Sequence, residues 1–187
     1  MKRIGILALQ GAFAEHKQMF AELGVESLEI RQLADLNQTL DGIVLPGGES
    51  TVIGKLLREL ELFEPLRQKI AEGLPAFGTC AGLILLAKRI DGEDTAHLGL
   101  MDITAQRNAY GRQLGSFHTE SRFTHIGMVP MTFIRAPLIA ETAPHVEILA
   151  QVNGQTVAAR QNNILACSFH PELTADTRIH EYFLNAI

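Results

Sequence analysis

With 187 residues, 47% apolar and 20% charged, the chain has enough apolar material for one substantial core. A net charge of -5 with no basic cluster argues against nucleic acid as the main partner. The two cysteines, Cys80 and Cys167, form neither a disulfide framework nor a zinc-ligand pattern, which favours a reducing, cytoplasmic setting and no metal.

Lys2-Arg3 and the apolar run Ile4 to Leu9 have the outline of a signal peptide, but the run stops at Gln10, short of a signal core. That run instead reads as a parallel strand covered on both faces. A helix follows over Ala12 to Leu23, with Phe13, Phe20 and Leu23 near helical spacing and Gly24 as its stop. Val25 to Arg31 and Gly42 to Leu45 are the next strands, the second cut off by Pro46-Gly47-Gly48. Glu49-Ser50-Thr51 opens a helix to about Leu60, with Ser50 or Thr51 as its cap, and Phe63 to Glu72 forms another. After a strand at Ala76-Phe77 comes Gly78-Thr79-Cys80-Ala81-Gly82, and then helix formers from Leu83 to Ala87. This βαβ rhythm predicts a doubly wound, flavodoxin-like, mostly parallel α/β sheet with helices on both faces, in one domain over residues 1–187. The second half carries strands without helices between them: Asp102 to Asn108, Leu114 to Phe123 and Met131 to Ile134. A hairpin spans Val146 to Arg160 about Asn153-Gly154, a strand runs from Ile164 to His170, and a helix covers Asp176 to Ala186.

Gly-x-Cys-x-Gly has the spacing of the sharp strand-to-helix turn of Gly-x-Ser-x-Gly hydrolases, which needs small neighbours around a strained central residue. A helix N-terminus there favours an anion, and so a thiolate. By itself this leaves Cys80 evenly balanced between nucleophile and small core residue. The loops after Leu9, Leu45 and Thr79 all leave the carboxyl ends of strands, where open α/β sheets bind ligands, so they are expected to converge. Bare backbone at Gly47 and Gly48 can approach a ligand closely, and the N–H of Gly48 with that of Ala81 makes a candidate oxyanion hole. In Ser168-Phe169-His170-Pro171-Glu172 the proline biases His170 toward extended backbone, and two residues on, Glu172 is expected on the same side, roughly 6–7 Å away between Cα atoms. Thiol, imidazole and carboxylate together fit an activated nucleophile with its base and orienter. The other six histidines (His16, His97, His118, His125, His145, His180) show no ligand spacing.

The segments Leu9-Gln10-Gly11, Leu45 to Thr51, Phe77 to Leu83, Gln106-Arg107-Asn108, Phe133 to Pro137 and Cys167 to Leu173 resemble the class I glutamine amidotransferases, over essentially the whole chain. Gly-Gly-Glu-Ser-Thr, Gln-Arg-Asn and Phe-Ile-Arg-Ala-Pro narrow the resemblance to glutaminase subunits of pyridoxal 5′-phosphate synthase. The resemblance implies hydrolysis of L-glutamine to glutamate and ammonia. By the same resemblance, the ammonia is expected to pass to a separate synthase subunit that makes the vitamin B6 cofactor, which would not be bound by this chain. It also implies that Cys80, His170 and Glu172 are catalytic and that Gly47, Gly48, Glu49, Arg107, Ile134 and Arg135 contact glutamine. An arginine suits the α-carboxylate of that substrate. Gln10 is the candidate relay between the partner and a Gly47–Gly48 peptide that can turn over. Two other readings stay open: another amidotransferase or a γ-glutamyl hydrolase, and a non-catalytic domain with Cys80 as a redox sensor.

Overall fold

Residues 1–110 and 115–187 are described by the computed structural model, and the apolar runs of the first half lie side by side at its centre. Strands β1 (Arg3–Leu7), β2 (Glu26–Ile30), β3 (Gly42–Leu45), β4 (Ala76–Thr79) and β12 (Ile164–Cys167) pair in the order β2-β1-β3-β4-β12, all parallel. Such strands need cover on both faces, and the alternation of their side chains divides the core in two. Ile4, Ile6, Val44, Phe77, Leu165 and Cys167 point to one face, packed by Phe20 of α1 (Phe13–Glu22) and by Ile179 and Phe183 of α6 (Arg178–Asn185). Ile43, Leu45, Ala76, Ile164 and Ala166 point to the other. There they meet Ile53 and Leu57 of α3 (Ser50–Glu59), Leu66 and Ile70 of α4 (Phe63–Ala71) and the wholly buried α5 (Ala81–Leu86).

The second half extends the sheet mainly by antiparallel pairing. β12 is the switch: parallel to β4 on one side, antiparallel to β11 (Gln155–Gln161) on the other. Beyond it follow β10 (Glu147–Val152), β7 (Ser116–Phe123) and β8 (Gly127–Ile134). A side branch of β5 (Ala87–Ile90), β6 (Met101–Gln106) and β9 (Leu138–Thr142) joins β11 through β9. The result is a mixed α/β sheet with a parallel centre.

Several local expectations need correcting. The cap of α3 is Glu49, whose side chain accepts the Thr51 N–H at 3.2 Å, because the Ser50 hydroxyl is taken by Arg107 at 2.7 Å. Ala87 leaves the helix with ψ of 137° and starts β5. β8 begins at Gly127, four residues before Met131, and carries Pro130; as the terminal strand of its path it tolerates the missing N–H. The strand expected from Leu114 is seen from Ser116; Leu114 itself lies outside the described residues. Short α2 (Leu33–Leu36) was not foreseen, and β12 ends at Cys167, three residues before His170. Among the described residues no helix is long and apolar enough to cross a membrane.

Candidate active site

Four chain segments leave the carboxyl edge of the parallel centre and meet around one cavity of about 560 Å³. Its walls include Gln10, Gly47, Gly48, Glu49, Cys80, Ala81, Arg107, Ile134, Arg135 and His170. The sequence-predicted residues are therefore together, with Glu172 alone set behind the wall.

Cys80 is the single residue between β4 and α5, at φ 52° and ψ -101°. A non-glycine residue there is strained, and the surroundings hold it in place. Its N–H donates to the Cys167 carbonyl at 2.8 Å, and its own carbonyl accepts from Leu83 and Ile84. The flanking glycines are a steric necessity: a Cβ at Gly82 would overlap the Leu45 carbonyl, and one at Gly78 would come within 2.6 Å of the Gly82 backbone. The sulfur is 7% exposed as part of its residue and lies 4.0 Å from the Ile134 carbonyl.

His170 stands opposite. Its N–H donates to the Thr132 carbonyl at 2.8 Å, and its Nδ1 lies 2.6 Å from Oε1 of Glu172, leaving Nε2 for the Cys80 side. Burial disfavours the charged ring, but hydrogen bonds to Cys80 and Glu172 and their charges outweigh it and raise the His170 pKa to about 10. The extended backbone expected from His170 to Glu172 is not found: Pro171 to Leu173 is a turn of 3₁₀-helix. That turn, with proline in its first position, folds the Glu172 side chain back beneath the ring, with no exposure to solvent.

Gly47 has no alternative either, since a Cβ there would overlap the His170 ring. Its carbonyl accepts the Ala12 N–H at 2.8 Å, so the Gly47–Gly48 peptide is tied to the start of α1. Gln10 joins the same loop by accepting the Glu49 N–H at 2.8 Å. Arg107 reaches the cavity but is engaged: Nη1 donates to Ser50, and Nε lies 2.5 Å from Glu93 Oε1. Arg135, at φ 44°, is an exposed part of the rim beside Ile134. Sequence reasoning missed Ser50 and Glu93 as supports of Arg107, and it set aside His16 and His180, which are buried behind Glu172. Their signal was available: His16 falls between Phe13 and Phe20 on the apolar stripe of α1. Among the described residues no three His, Cys, Asp or Glu side chains are grouped to hold a metal.

Comparison with known proteins agrees with this geometry. The chain is 59% identical to the pyridoxal 5′-phosphate synthase subunit PdxT of Streptococcus pneumoniae strain JJA over 186 residues, covering 98% of this chain and 96% of that protein. The PdxT of Streptococcus pneumoniae strain D39 matches with the same identity and coverage. Among solved structures, a crystal structure of a glutamine amidotransferase superposes with a TM-score of 0.93 at 45% identity, over 98% of this chain and 97% of that one. PurLQS from Thermotoga maritima shares the fold alone, with a TM-score of 0.72 at 14% identity over 98% of both chains. The model of the SNO glutamine amidotransferase family matches residues 6–187, and the chain belongs to that family.

Proposed function

We propose that the chain, as one glutaminase domain over residues 1–187, hydrolyses L-glutamine to L-glutamate and ammonia in the cytoplasm. It supplies the ammonia to a separate synthase subunit that makes pyridoxal 5′-phosphate, and binds no cofactor of its own. The observation that carries the chemistry is the buried His170–Glu172 pair at 2.6 Å facing a cysteine in a strained turn. Its likeness to PdxT proteins supports the synthase as acceptor over other amidotransferase partners. A redox sensor would have no use for that pair, or for a glycine wall shaped around an imidazole.

The side chains act as follows. Cys80 Sγ attacks the carboxamide carbon of glutamine, forming a C–S bond and placing negative charge on the carboxamide oxygen. The N–H groups of Gly48 and Ala81 receive that charge. With its pKa raised to about 10, His170 is protonated at neutral pH and gives its proton to the departing nitrogen as the C–N bond breaks. Ammonia leaves and a γ-glutamyl thioester remains. Water then attacks the thioester, His170 takes its proton, the C–S bond breaks, and glutamate leaves with Cys80 restored. Glu172 moves no proton; it orients the imidazole and offsets its charge. Arg107, held by Ser50 and Glu93, and Arg135 receive the substrate's α-carboxylate, while Glu49 and the backbone of Ile134 complete the contacts. Glutamate release, measured with the synthase subunit present, tests this reading: Cys80→Ala abolishes it while leaving the fold unchanged, and appreciable release by that variant overturns it.

A further inference from the structure

The Glu172 carboxylate uses only one oxygen on His170. Its other oxygen, Oε2, is buried and has no hydrogen bond of good geometry among the described residues, an expensive arrangement for a charged group. The nearest nitrogen is Nε2 of His16, at 3.5 Å. That same Nε2 lies 3.1 Å from the hydroxyl of Thr79, the residue before Cys80. On its far side, His16 Nδ1 lies 2.8 Å from Nε2 of His180. His16, Thr79 and His180 are all 0% exposed, and they come from α1, β4 and α6. Phe20 and Phe77 meet the His180 ring edge-on, closing the cluster in apolar material.

The protons of this cluster can be assigned. Burial, with the neighbouring His180 and His170 adding to it, pushes the His16 pKa well below its ordinary value, and burial lowers that of His180 to about 3. Both rings are therefore neutral, and one proton lies between His16 Nδ1 and His180 Nε2. Were it on His16, the Nε2 lone pair of His16 would face the Glu172 carboxylate, and His180 Nδ1–H would be a buried donor without an acceptor among the described residues. With the proton on His180, its unpartnered Nδ1 is a bare acceptor, and His16 Nε2–H points between Thr79 and Glu172. The second arrangement avoids one repulsion and one orphaned donor.

We propose that His16, fixed as its Nε2–H tautomer by His180, is a positioning residue for Glu172. It supplies a donor to Oε2, and so holds Oε1 on His170. Because Thr79 shares that donor, the same imidazole also braces the strand end that carries Cys80. The triad thereby extends as a relay of orientation, without proton movement, from α6 through α1 to the reactive histidine. Its kinetic consequence rests on the glutaminase reading above; its proton assignment does not.

Two measurements test it. The first is an imidazole ¹⁵N–¹H correlation spectrum of the intact chain labelled at histidine, with His16 assigned by its absence in His16→Gln. The proposal predicts His16 protonated at Nε2 and bare at Nδ1; protonation at Nδ1 overturns it whatever the enzyme's substrate. The second is glutamine hydrolysis with the synthase subunit present. His16→Leu, which fills the space but donates nothing, is expected to lower kcat about tenfold to a hundredfold, the usual loss of a hydrogen bond to a buried charge, with KM little changed. His16→Gln, which can place an amide N–H near the Nε2 position, recovers most of that loss. If His16→Leu fails to fold, His180→Phe frees the His16 tautomer instead and is expected to lower kcat in the same sense. A kcat within twofold of wild type in His16→Leu or, failing that, His180→Phe overturns the proposal, as does an equal loss in His16→Leu and His16→Gln.

Discussion

Replacing Gly47 by alanine is the sharpest steric probe of the site, because the added methyl meets the base directly. A Cβ at residue 47 would overlap Cε1 of His170 and lie 2.7 Å from its Nδ1, whereas ordinary contact begins at 3.4 Å. Relief requires the ring to withdraw by about 0.7 Å on the Nδ1 side alone, against a bond to Glu172 now 2.6 Å long. The ring is no flexible side-chain tip that can step aside: Glu172 holds its nitrogen and Thr132 holds its backbone. Misplacing a catalytic group by about 1 Å costs on the order of 10²-fold, so Gly47→Ala is expected to lower kcat for glutamate release by about 10²-fold or more. Gly47 does not need a positive φ, so the backbone adds no strain of its own, and Tm is expected to fall by only a few degrees. The double variant Gly47→Ala/Glu172→Gln separates this cause from others. If the methyl acts by pulling His170 off Glu172, the second substitution costs little more, and the two losses fall well short of multiplying. Fully multiplicative losses, or a kcat within fivefold of wild type for Gly47→Ala, would refute the steric argument.

Further outcomes follow from the same geometry. Glu172→Gln is expected to keep more activity than His170→Asn, since the carboxylate orients without moving a proton; equal rates for wild type and Glu172→Gln would make it purely structural. Arg107→Lys loses the fork that holds Ser50 and Glu93 and is expected to raise KM for glutamine about tenfold with kcat nearly unchanged, as read from initial rates. The His170 pKa is raised to about 10 in the folded chain from about 6.5 unfolded, so its contribution to stability is complete below about pH 6.5 and is lost as pH rises toward 10. Thermal unfolding at stepped pH is accordingly expected to show a steeper alkaline loss in wild type than in His170→Asn, and parallel curves would contradict the pairing. The Gly47–Gly48 peptide is anchored by Ala12 to Gly47 and by Glu49 to Gln10, so its orientation responds to anything that moves the Gln10 loop. Saturating synthase is expected to raise glutamine hydrolysis by about 10²–10³-fold, the worth of one oxyanion donor; agreement within twofold would show that the hole is already formed in the free chain.

Much of the parallel centre was readable because β1, β3 and β4 begin as short apolar runs cut off by a nearby glycine, at Gly11, Gly47 and Gly78, and apolar runs of that length have few other uses in a βαβ pattern. β5 and β9 were missed because the strands they pair with are distant in sequence, and α2 because one turn is too short to show a period. β5 is four residues with Lys88 and Arg89 exposed, and only its pairing with β6 makes it a strand. α2 is a single turn defined by Asp35 accepting from the backbone of Arg31 and Gln32. His170 and Glu172 were correctly paired for an incorrect reason, since spacing alone cannot tell an extended pair from one folded by a turn at proline. His16 and His180 lie 164 positions apart and neither has a telling neighbour in sequence, so no motif could join them. The buried stripe of α1 was the signal that remained: an imidazole on a face meant for apolar side chains needs partners inside the core.

The central claim is that Cys80 becomes acylated by glutamine, and it can be observed directly. The chain and its synthase subunit are mixed with glutamine, quenched in acid during turnover, digested and analysed by mass spectrometry. A γ-glutamyl group on the peptide containing Cys80, absent from the Cys80→Ala variant and removed by hydroxylamine, is the predicted result. Steady glutamate release with Cys80 unmodified at every quench time, and undiminished in Cys80→Ala, would contradict the account.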